Sequence, residues 1–237
     1  MKRTLYQNLL AWKSDQRRKP LLLQGARQVG KTWLINEFGK NEYKNYVYLN
    51  FEQVPGLKSI FTQELSPEKI IENIGLFLGK KVVAEDTLIC FDEIQVCPEA
   101  LTSLKYFQEQ TPAYHIIAAG SLLGVSLGKT SSFPVGKVNF LTLYPLSFSE
   151  YLEAIGEQLL AEKLLFLEPL PEILHEKLIN HLKMYFFLGG MPEVVADYIQ
   201  HKDINAARNI QHDILQAYQR DFSKYSDPSQ AIKVTEI

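Results

Sequence analysis

Apolar residues along the chain follow two regimes, and the change between them falls near residues 145–150. In the first regime, short apolar runs of strand length alternate with stretches whose apolar positions recur every three to four residues. Residues 21–23, 46–51, 87–91 and 115–119, with the alternating segment 138–143, predict five strands. Leu5, Leu9, Leu10 and Trp12 predict a short amphipathic helix ending near Arg17, Arg18 and Lys19, where cations suit a helix C-terminus, before Pro20 stops it. Residues 33–38 continue as a helix. Ser66, Pro67 and Glu68 read as an N-cap with proline at the first helical position, opening a helix to about Leu78. A further helix is predicted over 98–110, and the Gly/Ser-rich stretch 124–136 reads as a loop. Strands alternating with helices need crossover connections, which are right-handed, so the sheet is expected to be mostly parallel.

In the second regime no strand pattern appears. From Ser149 to Phe222 apolar residues recur at helical spacing, and Ala207, Ile210, Ile214 and Ala217 mark one face of a single helix. Gly189, Gly190, Met191 and Pro192 break this region, either as a plain turn between helices or as a hinge. The expected organisation is an α/β domain over 1–147 and a helical domain over 148–237.

Composition narrows the class without naming a partner. The 237 residues are 46% hydrophobic and 22% charged, with a formal net charge of −2, which is ordinary for a globular chain. The basic and acidic residues nearly balance up to residue 150, whereas the remainder is acidic in excess, a poor surface for DNA. No run approaches the ~20 apolar residues needed to cross a membrane. Cys90 and Cys97 form no CxxC pair, and five histidines show no metal-ligand spacing, which fits reduced thiols in a cytoplasmic protein.

Two segments carry chemistry. Gly25, Ala26, Arg27, Gln28, Val29, Gly30, Lys31 and Thr32 fit GxxxxGK[ST] between a predicted strand and a helix that continues through Trp33. Such a loop aims successive backbone N–H groups at a phosphate at a helix N-terminus, where the dipole favours anions. Lys31 would reach the β- and γ-phosphates, and the Thr32 hydroxyl would ligate Mg²⁺. A second Gly-Lys-Thr run, ending at Thr130, is set aside: only three residues separate Gly124 from Gly128, and no apolar helix follows. The apolar segment 88–91 ends on Asp92 and Glu93. A strand-end Asp holds Mg²⁺ in P-loop enzymes, and a following Glu is placed to orient and deprotonate an attacking water. The strand ending at Gly120 and Ser121 offers a small polar residue that would touch the γ-phosphate or the attacking water, against the plainer role of an N-cap or turn serine.

Taken with the run Leu-Tyr-Pro-Leu-Ser-Phe-Ser-Glu-Tyr at 143–151, Phe-Leu-Gly-Gly-Met-Pro-Glu at 187–193 and Tyr-Gln-Arg-Asp-Phe at 218–222, these motifs resemble the prokaryotic AAA-type P-loop ATPases that carry a C-terminal domain of unknown function, akin to the origin-recognition-like clade. The resemblance extends from about residue 20 to 222. It implies a three-layer P-loop NTPase sandwich with a five-stranded sheet in the order 5-1-4-3-2, followed by a small helical lid. Members of that family are usually longer, so a truncated chain is expected. The family commonly has Gly-Arg before the fifth strand, where this chain has Gly136 and Lys137; lysine keeps the charge but loses the planar fork.

The six arginines are Arg3, Arg17, Arg18, Arg27, Arg208 and Arg220. Arg27, Arg208 and Arg220 are candidates for completing a site, against the plainer role of exposed structural side chains. Trp12, Tyr6 and Trp33 are candidates for stacking on adenine, with core packing as the default for each. The reading is an ATP–Mg²⁺ hydrolase whose lid moves with nucleotide state and acts with a protein partner or by self-association. The rivals are an ATP-dependent switch or scaffold with little turnover, a small-molecule or nucleotide kinase and a DNA-binding loader or regulator. A guanine-recognition Asn/Thr-Lys-x-Asp motif is absent from the sequence, which favours ATP over GTP.

Overall fold

The structure is a computed structural model that describes residues 1–62, 64–121, 134, 136–166 and 169–225, with backbone alone at 121 and 221–225. The predicted loop 124–136 lies outside the described residues except at 134 and 136, and the discarded Gly-Lys-Thr run lies wholly outside them.

Residues cluster into two compact units. One comprises Leu5–Ala26 and Gly30–Leu143; the other comprises Met1–Thr4, Arg27–Val29 and the chain from Tyr144 on. The first unit is built on a five-stranded sheet of β1 (Leu21–Gly25), β2 (Asn45–Asn50), β3 (Thr87–Asp92), β4 (His115–Ser121) and β5 (Asn139–Thr142). The strand order is β2-β3-β4-β1-β5 and every pairing is parallel. This is the 5-1-4-3-2 order implied by the family resemblance, and the three-layer P-loop architecture is the one expected.

Alternation along the strands divides the sheet into two apolar faces. Leu22, Val47, Leu49, Ile89, Phe91, Ile116 and Ala118 share one core with residues of α4 (Pro67–Leu78) and α5 (Pro98–Gln110). Phe61, supplied by the single turn α3 (Ser59–Thr62), packs edge to face against Phe51 and Phe91 there. Across the other face, α2 (Lys31–Glu42) packs against β1, β3 and β4 through the buried Leu34, Ile35 and Phe38. Strand β3 is buried at every position, as a central parallel strand covered on both faces must be.

Local details depart from the sequence reading. Helix α1 (Leu5–Ser14) stops before the basic triplet, because the Ser14 hydroxyl bonds back to the Leu10 and Ala11 carbonyls and Asp15 accepts from the Arg17 amide. Arg17 to Lys19 therefore sit in the following turn, not on the helix end. Helix α2 begins at Lys31, two residues earlier than predicted. Ser66 is the N-cap of α4, but its hydroxyl donates to Glu68 (2.9 Å) and takes no helix amide.

The second unit contains α6 (Phe148–Ala154), α7 (Gln158–Phe166), α8 (Glu172–Leu188), α9 (Pro192–His201) and α10 (Ile204–Tyr225). Ser147 and Glu150 close a capping box on α6. Leu146, Tyr151, Leu188, Val194, Val195, Ala207 and Ile214 form one core, and Leu152, Leu160, Ala161 and Leu178 a second. Ala207, Ile210, Ile214 and Ala217 fall on the single helix α10, as expected, with Ala207 and Ile214 buried and Ala217 exposed. The turn between α8 and α9 is tightly packed. The Leu146 amide donates to the Gly190 carbonyl (2.6 Å), and a Cβ on Gly190 would stand 2.3 Å from the Leu146 carbonyl oxygen. Glycine is required there by close backbone approach.

Candidate functional site

In parallel strands the carboxyl ends lie on one edge, and three candidate segments end there together. Gly25 is in register with Ser121, and Phe91, the residue before Asp92, is in register with Ala118. The loop Gly25–Thr32 leaves β1 on this edge and enters α2. Two of its residues have backbones on the left-handed side, Gln28 at φ 62° and Gly30 at φ 93°, and Gly30 is the N-cap of α2. Glycine carries that conformation without cost at the point where the loop turns into the helix.

Lys31 folds back over its own loop, its ammonium donating to the carbonyls of Gly25 (2.9 Å) and Ala26 (2.7 Å). The Thr32 hydroxyl donates to Oδ2 of Asp92 at 3.0 Å, joining two segments sixty residues apart. A hydroxyl that spends its one proton this way keeps both lone pairs for a cation. Asp92 is buried, 3% exposed, and its carboxylate is saturated on one side: Tyr48 donates to the same Oδ2 (2.6 Å) and the Glu93 amide donates to Oδ1 (3.0 Å). Burial raises the Tyr48 phenol above its ordinary pKa; the Asn50 hydrogen bond opposes this and Asp92 reinforces it, so Tyr48 stays a protonated donor. Asn50 in turn donates to the Tyr48 oxygen (3.1 Å).

Glu93 has φ 53° and ψ 45°, a left-handed backbone for a residue with a full side chain. Such a conformation costs ~1 kcal/mol or more and persists where the surroundings enforce it. Its carboxylate accepts from the Gln95 amide at 2.5 Å, while the other polar atom of that amide, Oε1, is buried without a protein partner. Ser121 ends β4 on the shared edge, and its side chain lies outside the described residues.

The remaining candidates divide. Trp33 is 46% exposed, which overturns the expectation of core packing. Trp12 is buried with its indole N–H on the Lys19 carbonyl (2.8 Å), and Tyr6 packs edge-on to Phe38 while donating to Glu42 (2.8 Å), as core residues do. Lys137 pairs with Glu109 on α5 at 3.0 Å. Arg208 lies over the Phe187 ring, 4.0 Å from its centroid, and bonds to Gln211 (3.1 Å). Sequence reasoning missed Tyr48, Asn50 and Gln95 around the acidic pair. It also missed two donors to the loop, Arg3 to the Val29 carbonyl (2.8 Å) and Tyr218 to the Arg27 carbonyl (2.6 Å).

The donor set suits a particular kind of cation binding. Among the described residues no group of three or more His, Cys, Asp or Glu side chains could hold a metal by itself. One hydroxyl and one carboxylate supply hard oxygens, too few to bind a metal alone but suited to Mg²⁺, which is held by one or two carboxylates together with phosphate oxygens and water.

Comparison with known proteins follows the same line. A family model described as an AAA domain matches residues 17–152, and a domain of unknown function (DUF8612) matches 179–237. No curated protein matches the chain. Among solved structures, the Walker-type ATPase of Pyrococcus abyssi is similar at 15% identity and a TM-score of 0.58, over 95% of this chain and 76% of that one. Drosophila ORC bound to DNA is similar at 18% identity and a TM-score of 0.47, over 94% of this chain and 62% of that one. At these identities the likeness is one of fold. The chain spans about three-quarters of the first structure and less than two-thirds of the second.

Proposed function

This chain belongs to the AAA-domain family, and on that premise we propose that it binds ATP and hydrolyses it to ADP and phosphate in a Mg²⁺-dependent reaction. The observation that carries the reading is the Thr32–Asp92 hydrogen bond, which brings a phosphate-loop hydroxyl and a strand-end carboxylate together on the carboxyl edge of a parallel sheet. Ligands in open α/β sheets bind at that edge.

In this reading the amides of Gly25 to Thr32, continuing into Trp33, hold the phosphates. Lys31 exchanges its two loop carbonyls for β- and γ-phosphate oxygens, a swap of weak acceptors for charged ones. Thr32 and Asp92 would hold Mg²⁺, which when bound supplies positive charge to the phosphoryl oxygens. Glu93 orients a water and takes its proton as the water oxygen attacks the γ-phosphorus and the bond to the bridging oxygen of ADP breaks. Gln95 fixes the carboxylate of Glu93, and Ser121 contacts the γ-phosphate. Residues 1–147 act as the ATPase core and 148–237 as a lid whose movement is read by a protein partner or a second copy.

A second reading, a switch that binds ATP with little turnover, is favoured by one observation. Lys137, at the position where the family commonly has arginine, is engaged with Glu109. An arginine finger is worth ~10³–10⁵ in rate, so its absence would leave hydrolysis slow.

Phosphate release from ATP–Mg²⁺ by wild type and Glu93→Gln, with direct ATP binding, separates the readings. The hydrolase reading requires turnover by wild type and a loss of at least about tenfold in Glu93→Gln with binding retained. Binding by both without turnover supports the switch. Absence of binding by wild type refutes the nucleotide reading altogether.

A further inference from the structure

The tip of the phosphate loop is held by side chains remote in sequence. Tyr218, on α10, donates its phenol to the Arg27 carbonyl at 2.6 Å. Arg3 donates Nη1 to the Val29 carbonyl at 2.8 Å. The Arg3 guanidinium is itself fixed on two other sides: Nε meets Oε1 of Glu150 at 3.2 Å, and Nη2 donates to the Tyr144 carbonyl at 2.5 Å. Both members of this ion pair are buried, each with 5% side-chain exposure. Glu150 is anchored in turn by the amides of Thr4 (2.7 Å) and Ser147 (2.9 Å) and the Thr4 hydroxyl (2.9 Å). Arg3 is thus a rigid fork whose direction is set before it reaches the loop.

The two carbonyls it and Tyr218 hold belong to alternate residues of the loop. A trans peptide is planar, so its C=O and the next N–H point in opposite directions. Among the described residues no peptide bond is cis. Donors that pull the carbonyls of Arg27 and Val29 toward themselves therefore turn the amides of Gln28 and Gly30 away from themselves. Free to rotate, these peptide planes would present a carbonyl dipole to an anion as readily as an amide one.

We propose that Arg3, Glu150 and Tyr218 are positioning residues for the nucleotide: by clamping the Arg27 and Val29 carbonyls they keep the Gln28 and Gly30 amides aimed at phosphate. The proposal rests on the reading of Gly25–Thr32 as a phosphate cradle. It makes phosphate affinity a property of residues at both ends of the chain. Its signature is loss of affinity shared by every ligand that carries a diphosphate, whatever the base.

The test is titration calorimetry of the full chain with ATP–Mg²⁺ and, separately, inorganic pyrophosphate–Mg²⁺, for wild type, Tyr218→Phe and Arg3→Lys. Tyr218→Phe removes one oxygen, and its affinity for both ligands is expected to fall by about fivefold, the equilibrium factor of one ordinary hydrogen bond. Arg3→Lys keeps the charge beside Glu150 but not the fork, and a loss of about tenfold or more is expected for both. Circular dichroism at the titration temperature reports whether each variant is folded, and the folded Tyr218→Phe protein decides the matter if Arg3→Lys is not. A purely structural role would leave the affinities of the folded variant unchanged. That result, wild-type affinity for both ligands in Tyr218→Phe, overturns the clamp while leaving the nucleotide reading intact. Failure of wild type to bind either ligand overturns both together.

Discussion

Glu150→Gln is a demanding test of the buried ion pair, because it removes a charge with almost no change of shape. In the wild type the carboxylate accepts from the Arg3 guanidinium, two backbone amides and the Thr4 hydroxyl. Glutamine keeps one acceptor oxygen, but its NH₂ must face either the Ser147 amide or the Thr4 and Arg3 donors, setting donor against donor. Breaking one member of a buried pair costs ~3–5 kcal/mol, mostly because the other charge is left buried and uncompensated. The retained oxygen argues for the lower end, about 3 kcal/mol. With a urea dependence of about 2 kcal/mol per molar, the unfolding midpoint should fall by about 1.5 M.

Far-UV circular dichroism is the suitable probe. The two tryptophans, Trp12 and Trp33, both belong to the other unit, so their fluorescence reports on that unit and not on the one that holds Arg3 and Glu150. The pH dependence gives a second handle. Burial raises the pKa of Glu150, but the Ser147 and Thr4 amides and Arg3 outweigh it, and the net shift is downward. A carboxyl with a lowered folded pKa adds stability above its unfolded value and loses it as pH falls through the folded one. Wild type and variant should therefore differ most near neutrality and converge below the ordinary carboxylate range. Replacing both partners, Arg3→Met with Glu150→Leu, should cost less than Glu150→Gln alone, since no charge is stranded. A Glu150→Gln midpoint within about 0.2 M of wild type at pH 7 would refute the reasoning.

The other expectations are more local. Gly190→Ala places a Cβ against the Leu146 backbone, where no side chain can yield, and should destabilise the helical unit by at least ~1–3 kcal/mol in the same urea assay. An unchanged midpoint would mean that the close approach is not maintained. Cys90 and Cys97 are both buried; burial raises both thiols, Cys97 to about 11, so neither should react with a thiol reagent at pH 8 until the chain is unfolded. Rapid labelling of the native protein would contradict that.

How far the sequence could be read depended on whether the deciding interaction was local. Strand β3 was legible because a strand buried on both faces must be apolar throughout, so 88–91 ending on Asp92 could be little else. Helix α1 was placed well but ended wrongly, since its stop comes from hydroxyl and carboxylate bonds of Ser14 and Asp15 to nearby backbone rather than from the cations beyond. Trp33 was misjudged by its residue type. The buried positions of α2 are Leu34, Ile35, Phe38 and Gly39, and Trp33 lies off that stripe, which the helical period alone would have shown.

The surroundings of Asp92 were not legible in the same way. Tyr48 reaches it only because β2 lies beside β3, with Asn50 opposite Asp92, a neighbourhood fixed by the sheet order. Arg3 drew no role from the sequence, because its carboxylate stands 147 residues away.

The grouping of Met1–Thr4 and Arg27–Val29 with the residues from Tyr144 on bears on how such a chain can be recombined. A helical segment cut out at Tyr144 and joined to a different sheet would arrive without the arginine that neutralises Glu150. The sheet left behind would keep a guanidinium whose carboxylate had gone. Exchange between relatives would succeed only when three separate stretches of sequence travel together, so inheritance here follows the hydrogen bonds rather than the order of the chain.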